Sequence, residues 1–231
     1  MAAANKGPHF PSFDSGDGGK QPLHPFKLLV KRLTETFGPS GHEQIIRDVI
    51  REEIKGLVDE ARVDAMGNLI ARKRGSGPSP RKKIMLAAHM DEIGVIVTHI
   101  DDRGFIRFAP VGGVSLFNLI GNRCVFANNV VGTFGRERKN GSWNEMSMEK
   151  VFIDVGARDA KSVSVGIGDT ASFWREFVDL GDRMMGKAMD DRVGCAVLIE
   201  TMRQLKKTPN DSRTPELAMK MTRHAASTTQ A

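Results

Sequence analysis

Helical periodicity occurs towards both ends of this chain and is missing from the long segment between them. Apolar residues recur at helical spacing in 24–57 and again in 190–207, which predicts amphipathic helices in both places. From 94 to 178 the apolar runs are short and alternate with turn sequences such as DDRG, GG and ANN. Short strands at this spacing indicate a small barrel or sandwich. The sequence therefore predicts an α/β domain into which a β module is inserted.

Two helices are expected near the start of the α/β part. The segment 24–38 carries leucines and phenylalanine on a helical repeat and ends at Gly38. In SGHE, Ser40 and Glu43 match a capping box, which predicts a second helix with Ser40 at its N-cap.

Strands are expected to follow these helices. The segment EARVDAMGNLIARKR (60–74) predicts two strands joined by a turn at Gly67-Asn68. The basic sequence 72–83 then predicts a hairpin tip, which leads into a short buried strand over 84–88.

Composition argues against several kinds of partner. The chain has 231 residues, 40% of them hydrophobic, but no apolar run approaches membrane-spanning length. Its net charge is +6, and much of the basic excess lies in 72–83 and 202–207, where no aromatic residue could stack on a base. We therefore expect solvated surface there, with no nucleic acid and no membrane among the partners.

The N-terminal sequence and the two cysteines indicate the cellular compartment in which the chain is expected. Residues 1–23 lack an apolar h-region and are rich in Gly, Ser, Pro and Asp, which predicts a disordered extension rather than a secretory signal. Cys124 and Cys195 have apolar neighbours and no CxxC spacing, so buried free thiols in a reducing, cytoplasmic setting are expected.

Three ionisable residues follow the apolar strand 84–88, namely His89, Asp91 and Glu92. Burying a charge is costly unless it is paired or bound to a metal. His89 could bind an ion while Asp91 orients its other ring nitrogen. A hydrogen-bonded His–Asp pair without any metal is the simpler alternative, and both remain open. Glu92 has no assignable ligand role and is expected at the surface or in a local salt bridge.

A second group of carboxylates lies in GKAMDD (186–191). Asp190 and Asp191 precede the predicted helix, and two adjacent carboxylates repel each other. One of them therefore requires a cation or the helix dipole. Simple N-capping by aspartate is the alternative.

Several motifs together carry a resemblance to a known family. LAAHMDEIG, RFAPVGG, DVGARD and GKAMDDRVGCAVLIE occur in this order and resemble motifs of the M42 metalloaminopeptidases. SGHE, VDAMGNLIARK and GDTASFW fit the same pattern, and the resemblance covers about residues 24–211. The family includes glutamyl and tetrahedral TET-type aminopeptidases, and some members have been labelled endoglucanases.

The resemblance implies a fold and an activity. The expected fold class is α/β, a mixed-sheet zinc-peptidase-like catalytic domain (24–100 and 181–211) interrupted by a small β-barrel dimerisation domain (101–180). The expected activity is hydrolysis of the N-terminal residue of short peptides through a metal-bound water, with two divalent ions, zinc or cobalt, as cofactors. A homo-oligomer formed through the β insertion is expected.

The resemblance also implies roles for individual residues. His89 would bind one ion and Asp190 would bridge both ions. Asp91 would be the catalytic-site residue that hydrogen-bonds His89 and holds its tautomer. Asp191 and Arg192 would be positioning residues, and the Asp190–Asp191 peptide bond would be cis.

The C-terminal region departs from the family pattern. In the family, an apolar strand and an adjacent Glu-Glu pair follow the helix and supply the general base and a ligand. The tail 212–231 is predicted to form no such strand, and its isolated Glu216 and His224 are not expected to bind metal. Since a catalytic zinc site needs about three protein ligands per ion, the chain is expected to be C-terminally truncated relative to the family and to lack the downstream base.

Three functions follow from these observations. The first is a metal-dependent aminopeptidase whose given chain is incomplete. The second is a non-catalytic homologue that associates with full-length subunits through the β insertion. The third is a different hydrolase with the same kind of metal site, such as a deacylase or a glycanase; the paired carboxylates a glycanase needs are not identifiable in the sequence.

Overall fold

The computed structural model describes residues 22–75, 80, 82–137, 147–207 and 216–222. The chain divides into two compact units, one formed by Glu92–Glu176 and the other by the segments that flank it in sequence. The flanking unit is mixed α/β and the inserted unit is a closed β-barrel, which confirms the predicted fold class. In the described ranges, no helix has the length and apolar character needed to cross a membrane.

The flanking unit contains helices, a sheet and a small hairpin. Its helices are α1 (Pro25–Glu35), α2 (Gln44–Glu53) and α3 (Met189–Lys207). Its strands are β1 (Glu60–Val63), β2 (Leu69–Lys73), β3 (Lys83–His89), the hairpin strands β10 (Val178–Asp179) and β11 (Met184–Met185), and β12 (Glu216–Thr222). The helices at 24–38 and 190–207 and the strand–turn–strand at 60–74 are confirmed.

The sheet of this unit has the order β1-β2-β12-β3. Strand β12 pairs antiparallel with β2 and parallel with β3, so that Thr222 lies opposite His89. One face of the sheet packs on the helices, and the core combines side chains of both. Its fully buried members include Leu33, Ile46, Ile50, Leu69, Ile199, Met219 and Met221. This packing fixes the carboxyl end of β3 close to the start of α3.

The inserted unit is a six-stranded barrel with the order β4-β5-β8-β7-β6-β9. Its strands are β4 (Gly94–Ile100), β5 (Ile106–Val111), β6 (Arg123–Phe126), β7 (Val131–Arg136), β8 (Val151–Asp154) and β9 (Thr170–Phe173). The barrel core is rich in phenylalanine, with Phe126 and Phe134 almost fully buried. Gly132 is required where β7 crosses the core, because a Cβ there would lie 2.4 Å from Cγ2 of Ile153.

The barrel begins earlier than the sequence boundary of 101 suggests. Strand β4 starts at Gly94, and its Val95 and Val97 are buried in the barrel core. Their alternation with the less buried Ile96 is the signature of a half-buried strand. Residues 94–100 therefore belong to the inserted unit rather than to the catalytic part 24–100.

The prediction that the tail forms no strand is wrong. Residues Glu216–Thr222 form β12, whose Leu217, Met219 and Met221 alternate into the core. This strand separates β2 from β3, so the hairpin predicted around 72–83 is wrong as well. Period-two alternation in ELAMKMT was the available signal, and polar flanking sequence obscured it.

Two burial predictions also need correction. The strand over 84–88 is not buried along its length, because β3 lies at the end of the described sheet. Its Met85 is 68% exposed, and only Ala88 within 84–88 is buried. For Glu92, the surface alternative is wrong because its side chain is only 6% exposed, and the local salt bridge stays a prediction.

Candidate functional site

His89 lies between two carboxylates at the carboxyl end of β3. Its Nδ1 is 3.1 Å from Oδ1 of Asp91, and its Nε2 is 3.1 Å from Oδ1 of Asp190. The first partner is two residues away and the second is 101 residues away. The fold therefore brings together the three residues predicted as the site, His89, Asp91 and Asp190.

The two carboxylates differ sharply in their environment. The side chain of Asp91 is 3% exposed, whereas that of Asp190 is 96% exposed, and the imidazole between them is 22% exposed. A buried partner on one ring nitrogen and an open partner on the other is the arrangement found where histidine binds a ligand with its outer nitrogen. The Asp190 side of His89 is the side open to solvent.

Asp190 and Asp191 precede the regular part of α3. Neither has helical backbone angles, and the peptide bond between them is cis, as the resemblance implies. The carboxylate of Asp191 accepts hydrogen bonds from the backbone N–H of Gly194, at 3.0 Å, and of His89, at 3.3 Å. Asp191 thus caps the helix and also holds the end of β3. A Cβ on Gly194 would lie 2.2 Å from Oδ1 of Asp191, which is why glycine occupies that position.

Arg192 is fully buried and contacts three backbone carbonyls. Its guanidinium donates to the carbonyls of Met90, Leu33 and Thr36. The carbonyl of Leu33 also accepts the N–H of Thr36 at 3.3 Å, and Thr36 is the residue that ends α1. Arg192 therefore connects the end of α1, the residue after His89 and the start of α3.

Ser40 is a member of this constellation that the sequence reasoning missed. Its hydroxyl donates to Oδ2 of Asp91, and the N-terminus of α2 has no side-chain cap. The predicted capping box is therefore wrong: Glu43 instead accepts a hydrogen bond from the N–H of Gly41, at 2.5 Å. No local signal could distinguish the two roles, because the partner of Ser40 lies 51 residues away.

Strand β12 and helix α3 hold the backbone around His89. The N–H of Met90 donates to the carbonyl of Thr222 at 3.0 Å, and the thiol of Cys195 lies 3.3 Å from the carbonyl of His89. Burial raises the pKa of the Cys195 thiol to about 12, so it is a neutral packing group at physiological pH. The peptide bond after His89 is thus held by both β12 and α3.

Glu216, which was not expected to bind metal, lies away from His89. Glu216 begins β12, at the opposite end from Thr222, and accepts a hydrogen bond from Nε of Arg72 at 2.8 Å. That hydrogen bond with Glu216 raises the pKa of Arg72. His224 lies outside the described residues. Among the residues that the structure describes, no group of three or more His, Cys, Asp or Glu is arranged to hold a metal ion.

The fold thus combines a mixed α/β unit with a closed six-stranded barrel inserted in its sequence. Residues 67–219 match the family model described as M42 glutamyl aminopeptidase. The chain therefore belongs to the M42 peptidase family.

Curated relatives agree with this assignment. A protein of Acetivibrio thermocellus that carries an aminopeptidase assignment is 50% identical over 79% of this chain and 55% of its own length. The lysyl aminopeptidase of Pyrococcus furiosus is 35% identical over 77% of this chain and 54% of its own length. The chain thus spans about half the length of the curated relatives it matches.

Solved structures show the same fold. An aminopeptidase of Desulfurococcus kamchatkensis superposes with a TM-score of 0.77 at 34% identity, over 85% of this chain and 55% of that one. A protein of Thermotoga maritima that bears the name endoglucanase superposes with a TM-score of 0.71 at 36% identity, over 85% of this chain and 59% of that one. The TET1 peptidase of Pyrococcus horikoshii superposes with a TM-score of 0.72 at 29% identity, over 85% of this chain and 60% of that one. A TET1 structure described as a dodecamer gives a TM-score of 0.73 at 29% identity, over 86% and 60% of the two chains.

Proposed function

We propose that this chain carries part of the metal site of an aminopeptidase that removes N-terminal residues from short peptides. The observation that carries the proposal is the position of His89 between the buried Asp91 and the exposed Asp190. Family membership supplies the reaction class, and this constellation supplies the residues that would perform it.

The potential ligand atoms on the open side of His89 suit a divalent cation. When the Nδ1–H of His89 donates a hydrogen bond to Asp91, Nε2 carries no proton and presents a lone pair. That lone pair faces Oδ1 of Asp190 at 3.1 Å, so two acceptors meet at the same point. Such a pair is stabilised by a positive charge bound to both, and imidazole with carboxylate suits zinc, cobalt and manganese. His89 and Asp190 would hold the ion, and two ions in all are proposed by family resemblance.

The chain's own residues would prepare this site in distinct ways. Asp91 holds the Nδ1 proton of His89 and so keeps Nε2 directed outwards. Asp191 fastens the backbone of His89 to α3, which keeps Asp190 next to the ring. A divalent ion bound there would act as a Lewis acid on the scissile carbonyl and generate the attacking water. Because a catalytic zinc ion takes about three protein ligands, the further donors and the general base would come from outside the described residues.

The positions of the two carboxylates favour a peptidase over a glycosidase, although the Thermotoga relative bears the name endoglucanase. A glycosidase needs two carboxyl groups that both face the scissile bond. Here the carboxylate of Asp91 is buried and bonded to His89 and Ser40, so it cannot face a sugar. Asp190 alone of this pair is open.

Association with other copies of the chain is part of the proposal. The barrel exposes large apolar side chains, among them Phe117 at 84% and Ile167 at 71%. Exposed apolar side chains of this size favour a protein interface. The TET1 relative forms a dodecamer. We expect this chain to associate through the inserted unit. The assembly would be either a homo-oligomer of this chain or an oligomer with full-length subunits.

A chimera tests the proposed activity. The 231-residue chain and the same chain continued with the C-terminal part of the Acetivibrio relative would be assayed on lysyl, glutamyl and leucyl p-nitroanilides with zinc or cobalt. The continued chain is expected to hydrolyse at least one substrate and to lose activity in chelator or on His89→Ala. Activity on acylated amino acids or glucans alone would contradict the aminopeptidase assignment.

A further inference from the structure

We infer that Ser40 is a positioning residue of the site, which fixes the carboxylate of Asp91 and through it the orientation of His89. The inference rests on the metal-binding role proposed above for His89, and it adds a residue whose neighbourhood in sequence indicates only a helix cap. Ser40 touches no reacting group in this assignment; it acts through Asp91.

Both oxygens of the Asp91 carboxylate are engaged by different partners. Oδ1 faces Nδ1 of His89 at 3.1 Å, and Oδ2 accepts the hydroxyl proton of Ser40. Asp91 is 2% exposed, so water has little access to replace either partner. A carboxylate held at both oxygens cannot rotate about χ2 without losing both hydrogen bonds. Ser40 therefore sets the plane in which Asp91 meets the imidazole.

The turn that carries Ser40 is itself well fixed. The N–H of His42 donates to the carbonyl of Pro39 at 2.8 Å, and the N–H of Gly41 donates to the buried carboxylate of Glu43. Gly41 has φ +90°, a left-handed conformation that favours glycine. The hydroxyl of Ser40 is thus presented by backbone geometry rather than by a mobile loop.

Arg192 joins the same two segments a second time. It donates to the carbonyl of Thr36, just before this turn, and to that of Met90, just before Asp91. Gly38 allows the close approach, since a Cβ there would lie 2.9 Å from the Arg192 guanidinium and 2.5 Å from Ile46. Arg192 therefore fixes the distance between the two segments that the Ser40–Asp91 hydrogen bond connects. Removing the hydroxyl should loosen the carboxylate without separating the segments.

Four proteins test this inference: the 231-residue chain, Ser40→Ala, Ser40→Thr and Thr201→Ala. Threonine keeps the hydroxyl at position 40. Thr201 is the matched control, because its hydroxyl also makes a hydrogen bond, to the carbonyl of Val197 on α3, on an exposed surface. Thermal unfolding of each protein shows that it folds before the other readouts are compared.

The first readout needs no metal. In ¹⁵N-histidine-labelled, metal-free chain, the Nδ1–H of His89 held by Asp91 should give a downfield proton signal, which His89→Gln identifies among the six histidines. Ser40→Ala should broaden or abolish this signal through solvent exchange, whereas Ser40→Thr and Thr201→Ala should retain it. A signal that persists in Ser40→Ala, or one that is absent from the parent chain, overturns the inference.

The second readout is cobalt affinity, followed by visible absorption. Residues that orient a metal-binding histidine typically change affinity 10–100-fold, so Ser40→Ala should raise the Kd for Co²⁺ by about tenfold and Ser40→Thr should restore it. An unchanged Kd in Ser40→Ala overturns the inference. If the parent chain binds no cobalt while the proton signal still depends on Ser40, then Ser40 does orient Asp91 and His89, and it is the metal site proposed above that fails.

Discussion

The backbone N–H of His89 donates to the carboxylate of Asp191 across 102 positions of sequence, at 3.3 Å. The same carboxylate accepts the N–H of Gly194 in the first turn of α3. One side chain therefore caps a helix and also ties the end of β3 to it. The spacing between the imidazole of His89 and the carboxylate of Asp190 depends on this connection.

Replacing Asp191 should therefore weaken both the helix start and the site. We expect Asp191→Ala to lower the free energy of unfolding by about 1 kcal/mol, the usual effect of removing an N-cap acceptor. Asp191→Asn keeps an acceptor and should lose less. Urea unfolding monitored by circular dichroism measures the difference. Equal stability of Asp191→Ala and the parent chain would show that the cap is not needed.

Arg192 is expected to be the most sensitive residue near the site. Arg192→Met removes a buried cation and leaves the carbonyls of Met90, Leu33 and Thr36 without this donor. Since hydrogen bonds to charged groups contribute about 1.5–3 kcal/mol each, a loss of about 3 kcal/mol or more is expected in urea unfolding.

The control for that experiment is another arginine of α3. Arg203 pairs with Glu53 and is 30% exposed. Arg203→Ala should cost no more than about 1 kcal/mol, as surface ion pairs do. Similar losses for the two variants would contradict the role assigned to Arg192.

Local periodicity explains which parts of this fold the sequence predicts well. Helix α1 and the strands β1 and β2 were predicted because their apolar spacing and the Gly67-Asn68 turn are contained within a few residues. The barrel strands were predicted for the same reason. The change from apolar to ionisable residues after 84–88 draws attention to His89 and Asp91, whereas the place of Asp190 beside them is implied only by the family resemblance.

Long-range pairing explains what was missed. Strand β12 lies parallel to β3, and Thr222 is 134 positions from Ala88, whose carbonyl its hydroxyl contacts at 3.4 Å. Ser40 had an available local role as a cap, yet its partner is Asp91. In both cases the local sequence allows a second interpretation, and only tertiary packing selects between them.

Metal should stabilise the folded chain if His89 and Asp190 bind it. At a concentration one hundred times Kd, an ion that binds only the folded state adds about 2.7 kcal/mol, so zinc or cobalt should raise the Tm. Asp190→Ala should abolish the increase, and its side chain is so exposed that the metal-free Tm should hardly change. Differential scanning fluorimetry with and without EDTA measures both effects. An increase that survives in Asp190→Ala would place the ion elsewhere.

Both cysteines should resist modification in the folded chain. Burial raises the pKa of Cys124 and of Cys195 to about 12, and both side chains are inaccessible. Because the thiolate is the reactive form, reaction with DTNB at neutral pH should be slow until the chain unfolds. Two thiols should then react in denaturant. Rapid labelling of either cysteine under native conditions would show that its unit opens locally.

Acid should destabilise the turn between β1 and β2 through Asp64. The hydrogen bond from the side chain of Asn68 holds the pKa of Asp64 below its usual 3.8, with further donation from the N–H groups of Asn68 and Met66. A lowered folded-state pKa means that the stabilisation is fully present above pH 3.8 and is lost as the pH falls through the folded-state value. Urea midpoints measured between pH 5 and 2 should therefore fall less steeply for Asp64→Asn, which cannot titrate, than for the parent chain. Parallel curves for the two proteins would show that Asp64 contributes nothing to acid sensitivity.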